Sequence, residues 1–110
     1  MTQYGDACPD NEPDEDAAYG MSENCLSINI VRPSNASGQL PVLFWIHGGS
    51  YQGGTSGLPY YNLTYIVQRS VEIGKPIIAA STNYRKGGWG NMYSIEIQVC
   101  LKSQQCVSKY

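Results

Sequence analysis

Residues 41–47, PVLFWIH, constrain the fold more than any other stretch of this chain. The run is continuously apolar and too short for a buried helix, and it lacks the alternation of a strand with one wet face. It reads as a central strand buried on both faces, as in a parallel sheet. It stops abruptly at Gly48-Gly49. Residues 76–84, PIIAASTNY, form a second run of the same kind. Between them, residues 62–73 carry apolar side chains at 63, 66, 67, 71 and 73, close to helical spacing. Asn62 suits the N-cap of that helix, and Gly74 followed by Lys75-Pro76 suits its stop. Strand, glycine loop, helix and strand together predict a βαβ unit: a parallel pair joined by a right-handed crossover. Upstream, residues 25–31 alternate, with Leu26, Ile28 and Ile30 opposite Ser27, Asn29 and Val31, as in a half-buried strand. Residues 33–38, PSNASG, form a turn.

With 110 residues there is room for one small domain. An apolar content of 42% excludes a wholly disordered chain. No apolar run approaches the about 20 residues of a membrane-spanning helix, so no span is expected. Six acids (Asp6, Asp10, Glu12, Asp14, Glu15, Asp16) crowd into the first sixteen residues. This head reads as a solvated loop over residues 1–20, since it lacks the glycine and distal glutamate of an EF-hand. From Ala17 onward three acids face seven bases with no Lys/Arg cluster, which argues against a nucleic-acid partner. Beyond Trp89 periodicity fades, and residues 99–110, with Cys100 and Cys106, read as a divergent tail. Residues 21–98 then hold the folded domain. Asn35 and Asn62 each begin an N-x-[ST] sequon, a candidate glycosylation site. The N-terminus lacks a basic segment followed by an apolar one, so no secretory signal is read in this chain.

Ser50, set among glycines three residues after the only histidine, invites a reading as a nucleophile with His47 as its base. The spacing opposes it. A nucleophile elbow needs G-x-S-x-G, and Gln52 stands where the second glycine is required. A base also normally reaches its serine from a separate loop. Zinc is excluded more simply, because there is no second histidine and the cysteines lack ligand spacing. Glycines just past a buried strand do offer something else: backbone N–H groups that can converge on a developing oxyanion.

Three segments, MSENCLSINIVRP, LPVLFWIHGGSYQGG and STNYRKGGWG, resemble in order and spacing the type-B carboxylesterase/lipase family, which includes cholinesterases and fungal secreted lipases. The family's hallmarks run S-E-D-C-L-x-[IL]-N, then L-P-V-x-x-[WF]-[IF]-H-G-G-[GAS]-[FY], then N-Y-R-x-x-x-x-G-F. The resemblance implies a partial α/β-hydrolase fold, the core of a larger, mostly parallel sheet. It makes Gly48, Gly49 and Ser50 the oxyanion-hole loop, with Gly49 and Ser50 donating backbone N–H groups. It pairs Cys8 with Cys25 in a disulfide. It makes Asn83, Tyr84 and Arg85 structural buttresses, Arg85 being expected to be buried and paired with Glu23. The implied substrate of a full-length parent is a carboxylic ester or lipid, no cofactor or metal is implied, and the parent is expected to be secreted.

The chain also departs from the family. The elbow serine, the acid and the histidine of the triad have no counterpart in these 110 residues. Asn91 replaces an aromatic residue, and the similarity stops after Gln98. The chain therefore reads as an N-terminal-half fragment, inactive by itself, in which residues 41–47 keep an unpaired edge. The alternatives are a non-catalytic cholinesterase-like binding or adhesion module, and a truncated gene product without function.

Overall fold

The computed structural model describes residues 4–10 and 20–95. Its elements are β1 (Ile28–Val31), β2 (Val42–Ile46), a 3₁₀ turn (Pro59–Tyr61), α1 (Thr64–Glu72), β3 (Ile78–Thr82) and α2 (Gly87–Asn91). The three strands form one sheet in the order β1-β3-β2. β2 runs parallel to β3, with Val42 opposite Ile78 and Ile46 opposite Thr82. Helix α1 is the crossover between them, so the expected βαβ unit is present. β1 pairs antiparallel on the other side of β3, with Ile28 opposite Thr82 and Val31 opposite Ala79.

The centre of the sheet is β3, where Ala79, Ala80 and Ser81 are buried. Strand β2 corrects the expectation of a strand buried on both faces. It lies at the sheet edge, and Val42, Leu43, Phe44 and Ile46 are all exposed. A parallel strand is buried only when it has a neighbour along each edge and a layer over each face, and among the described residues β2 pairs with β3 alone. The register explains which face is bare. Ile30, Ala80 and Phe44 stand in one row and Ile28, Thr82 and Ile46 in the next. Ile28, Ile30, Phe44 and Ile46 in these rows are more than half exposed. On the opposite face Asn29 sits beside Ser81 and donates to Ser56 Oγ at 3.0 Å, which lays residues 55–58 over the sheet. The apolar side of β1, expected to be the buried one, is thus the exposed one.

Helix α1 begins one residue later than its pattern suggests. Leu63 occupies the N-cap, and Asn62 instead accepts the Thr64 N–H through Oδ1 at 3.0 Å from just outside the helix. Val67 and Ser70 are its buried residues. Ser70 Oγ donates to Val67 O at 2.6 Å and accepts from Ile77 N–H at 3.2 Å, tying the helix to the entry of β3. Gly74 ends it at φ +71°, a conformation that favours glycine. Among the described residues no helix is long and apolar enough to cross a membrane.

Two features lie outside the sheet and its crossover, of which the Cys8–Cys25 disulfide is the expected one. The glycine-rich GGWGN segment forms α2, and Gly90 there approaches the Arg85 carbonyl too closely for any side chain. In the acidic head, Ala7 bridges to Met21 and Cys8 joins Cys25 in a disulfide, both cysteines being buried. Residues 11–19 and the 99–110 tail lie outside the described residues.

The disulfide spans 17 residues, and closing a loop of that size in the unfolded chain stabilises the fold by about 3 kcal/mol. The Cys8→Ser, Cys25→Ser double variant should lose roughly that amount in urea unfolding, with a lower midpoint and an equal or steeper slope because its unfolded chain is less constrained.

Candidate functional site

The loop that follows β2 begins at His47, which is 97% buried with a relative exposure of 3%. Its ring stacks on Tyr84, centroids 4.2 Å apart and planes 11° apart. Nδ1 lies 2.9 Å from Gly48 O. A carbonyl only accepts, so the proton of the neutral ring sits on Nδ1. Nε2 is buried with no partner among the described residues. Burial pulls the imidazole below its ordinary value near 6.5. The bond to Gly48 opposes that shift, and the Lys86 ammonium adds to it. Tyr84 donates its hydroxyl to His47 O at 2.9 Å, and burial raises its phenol, with Tyr51 a lesser cause.

Past His47 the chain turns through positive φ at Gly49 (116°), Ser50 (54°) and Tyr51 (60°). Gly49 O closes the turn by accepting the N–H groups of Gln52 at 2.9 Å and Gly53 at 3.1 Å. A side chain at Gly49 would collide with the Gly53 carbonyl, and one at Gly54 would fall 2.7 Å from Gly48 O and 2.9 Å from His47 Nδ1. Two glycines are therefore required by close approach as well as by backbone angle. Among the described residues, the N–H groups of Gly49 and Ser50 donate to nothing. Ser50 Oγ makes no bond with His47, whose two nitrogens are accounted for above.

The segment after β3 lies against this loop. Asn83 is buried, and its Oδ1 accepts from Ser56 N at 2.8 Å, Ser56 Oγ at 2.8 Å and Thr55 Oγ1 at 3.2 Å. Its Nδ2 donates to Asp6 O at 3.0 Å. Gly87 N–H reaches Tyr51 O at 2.6 Å. Lys86 is wholly buried; its ammonium donates to Gly54 O and pairs with Asp10 Oδ2 at 2.5 Å.

The residues singled out in the sequence are in part brought together. Gly48, Gly49, Ser50, Asn83 and Tyr84 share one region, while Asn35 and Asn62 lie exposed in a turn and before α1. Arg85 corrects the expectation of a buried arginine paired with Glu23. Both side chains are exposed, and neither ion pair among the described residues includes them. An arginine in water has no desolvation cost for a partner to offset. The buried pair is one residue further on, Lys86 with Asp10. Nothing local marks those two, because 76 positions separate them.

Comparison with known proteins places this geometry. The family model described as Carboxylesterase family matches residues 1–98. Lipase 2 of Diutina rugosa is 44% identical over 78 residues, covering 69% of this chain and 14% of its own length. Secreted lipase 1 of Botryotinia fuckeliana (strain B05.10) is 42% identical over 89 residues, covering 79% of this chain and 15% of its own. The chain thus spans about one seventh of the curated relatives it matches. Among solved structures, a thermophilic pNB esterase superposes with a TM-score of 0.73 at 29% identity, over 88% of this chain and 20% of its own. The fold is therefore part of an α/β-hydrolase.

Two outcomes test the site. Asn83→Ala leaves buried Thr55 and Ser56 donors without an acceptor and should cost about 3 kcal/mol, read from urea unfolding. His47 binds its proton more weakly when folded than when unfolded, so its contribution to stability should be full above pH about 6.5 and decline as pH drops below it. His47→Gln should flatten that part of the stability profile between pH 7.5 and 5.5.

Proposed function

We propose a role that proceeds from one premise: this chain belongs to the carboxylesterase family, whose model matches residues 1–98. The chain is the part of a carboxylic-ester hydrolase that carries the oxyanion-hole loop, formed by Gly48, Gly49 and Ser50. The observation that carries this reading is the pair of adjacent N–H groups, at Gly49 and Ser50, that donate to nothing among the described residues. They sit in a turn with positive φ at three successive residues. Successive N–H groups in such a turn make a concavity suited to an anion. In ester hydrolysis that anion is the oxygen of the tetrahedral intermediate, and losing one donor costs about 3 kcal/mol.

Ser50 contributes its backbone, and its hydroxyl is not the nucleophile. No G-x-S-x-G occurs in the 110 residues, and Ser50 lacks a base, since His47 Nε2 is buried beneath the loop. The nucleophile, acid and histidine of the triad are supplied from outside these residues. Asn83 and Tyr84 act as buttresses of the loop, which their bonds to Ser56 and to His47 O support. Residues 21–98 form the partial hydrolase domain behind the acidic head, with 99–110 a divergent tail. The substrate is a carboxylic ester, lipids included, in line with the lipase relatives. The full protein is extracellular, which the disulfide and the secreted relative support, and Asn35 and Asn62 are exposed positions for glycans.

The purified 110-residue chain should therefore show no turnover of a p-nitrophenyl ester above solvent hydrolysis. Turnover that a serine-directed phosphonate blocks and Ser50→Gly abolishes would overturn the reading. In a polypeptide that also holds an elbow serine, Ser50→Gly keeps the N–H and should change kcat less than about tenfold, whereas Gly49→Ala should lower it by about 10² to 10³.

A further inference from the structure

The loop at residues 47–54 holds a conformation that it cannot keep unaided. Ser50 and Tyr51 both adopt left-handed backbone angles without being glycine, which brings Cβ close to the following carbonyl oxygen and is unfavourable. Such angles persist only where the surroundings over-determine them. Besides the loop's own bonds to Gly49 O, three hydrogen bonds from one short segment meet it. Tyr84 holds the start of the loop at His47 O, Gly87 holds its middle at Tyr51 O, and Lys86 holds its end at Gly54 O.

Lys86 differs from the other two anchors in being a buried charge. Its side chain has a relative exposure of 0%, and that of Asp10 is 3%. Burying such a pair is expensive, and an apolar residue of similar volume often serves stability as well or better. A role in geometry accounts for it better than a role in stability. The ammonium has directional donors, and it uses one on the carbonyl that ends the loop and one on Asp10. Asp10 is delivered there from the N-terminal arm, which the Cys8 disulfide fastens two residues upstream. The Asp10 carboxylate also lies against Gly53, where an added Cβ would meet Oδ2 at 3.9 Å.

We propose that Lys86 is a positioning residue: with Asp10 it latches the Gly54 carbonyl and so holds residues 49–51 in the left-handed turn that leaves the Gly49 and Ser50 N–H groups unpaired. Its meaning for catalysis rests on the oxyanion reading above; its physical content does not. The latch couples the disulfide-tethered arm to the loop across most of the chain.

The test is amide hydrogen exchange by NMR on the 110-residue chain, comparing loop reporters with sheet reporters. Gln52 and Gly53 N–H report the turn and Gly87 N–H its anchor, while Ile78 N–H, bonded to Pro41 O, and Asn83 N–H, bonded to Ser27 O, report the sheet. Lys86→Met alone leaves the Asp10 charge buried, so the deciding variant is Lys86→Met with Asp10→Asn, which removes both charges. The latch predicts exchange at least about tenfold faster at Gln52, Gly53 and Gly87, with Ile78 and Asn83 within about threefold of the wild type. Loop protection unchanged in the double variant overturns it. So does loss of protection by one common factor in loop and sheet, which marks a merely structural pair, and so does a wild-type loop that exchanges freely. Esterase activity enters none of these readouts, so failure of the oxyanion reading and failure of the latch are separately visible.

Discussion

The carboxamide of Asn83 is the interaction on which the rest of this structure depends. It lies just past the end of the central strand, buried, and it is satisfied on both sides. Its oxygen gathers three donors from Thr55 and Ser56, and its nitrogen reaches the Asp6 carbonyl. The same residue's N–H meets Ser27 O at the start of β1. One side chain thus joins the segment behind the glycine loop, the N-terminal arm and the first strand. A buried amide costs little when every group has a partner and a great deal when one is lost. That asymmetry makes such a hub specific: other packings of these segments would strand donors in the interior.

From that hub the segment at 84–87 runs along the glycine loop and determines its shape. Tyr84 both stacks on His47 and hydrogen-bonds its carbonyl, so the ring that could have served as a base is instead a floor under the turn. The neutral state of His47 belongs to the same arrangement. A proton on Nε2 would need an acceptor in a place where none lies among the described residues, and the Lys86 charge stands nearby. What the loop leaves unpaired among the described residues is the Gly49 and Ser50 backbone N–H groups, which carry no charge.

The other face of the sheet is the counterpart of this polar order. Ile28, Ile30, Val42, Phe44 and Ile46 are exposed, and one edge of β2 is unpaired among the described residues. Apolar rows on that scale and an open strand edge favour association in water. The relatives are about seven times longer than the segment they share with this chain, and a sheet of α/β type is covered on both faces. The polar half of the structure is self-sufficient; the apolar half is not.

Much of this was legible in the residues themselves. The runs at 41–47 and 76–84 and the helical spacing between them specify a parallel βαβ unit, since short length and flanking Gly or Pro mark the apolar runs as strands and the 3.6-residue spacing marks the helix. The His-Gly-Gly pattern after an apolar run marks a sharp turn at the end of β2, and the structure has one there, with Gly49 too close to the Gly53 carbonyl for a side chain. Three things were decided only in the tertiary structure. Burial was one: a sequence marks residues that favour an interior, but whether β2 and β1 find neighbours depends on what packs against them, and here their apolar faces stay open. Charge pairing was another: the expected Glu23–Arg85 pair is replaced by Asp10–Lys86, because partners 76 residues apart are matched by the path of the arm and not by any local pattern. The last was the left-handed turn at Ser50 and Tyr51. Those residue types disfavour it locally, and the turn is met both by the loop's own bonds to Gly49 O and by hydrogen bonds from Tyr84, Lys86 and Gly87 in a distant segment. Local periodicity determined which elements form, and long-range contacts determined which of their faces and hydrogen-bond donors are left free.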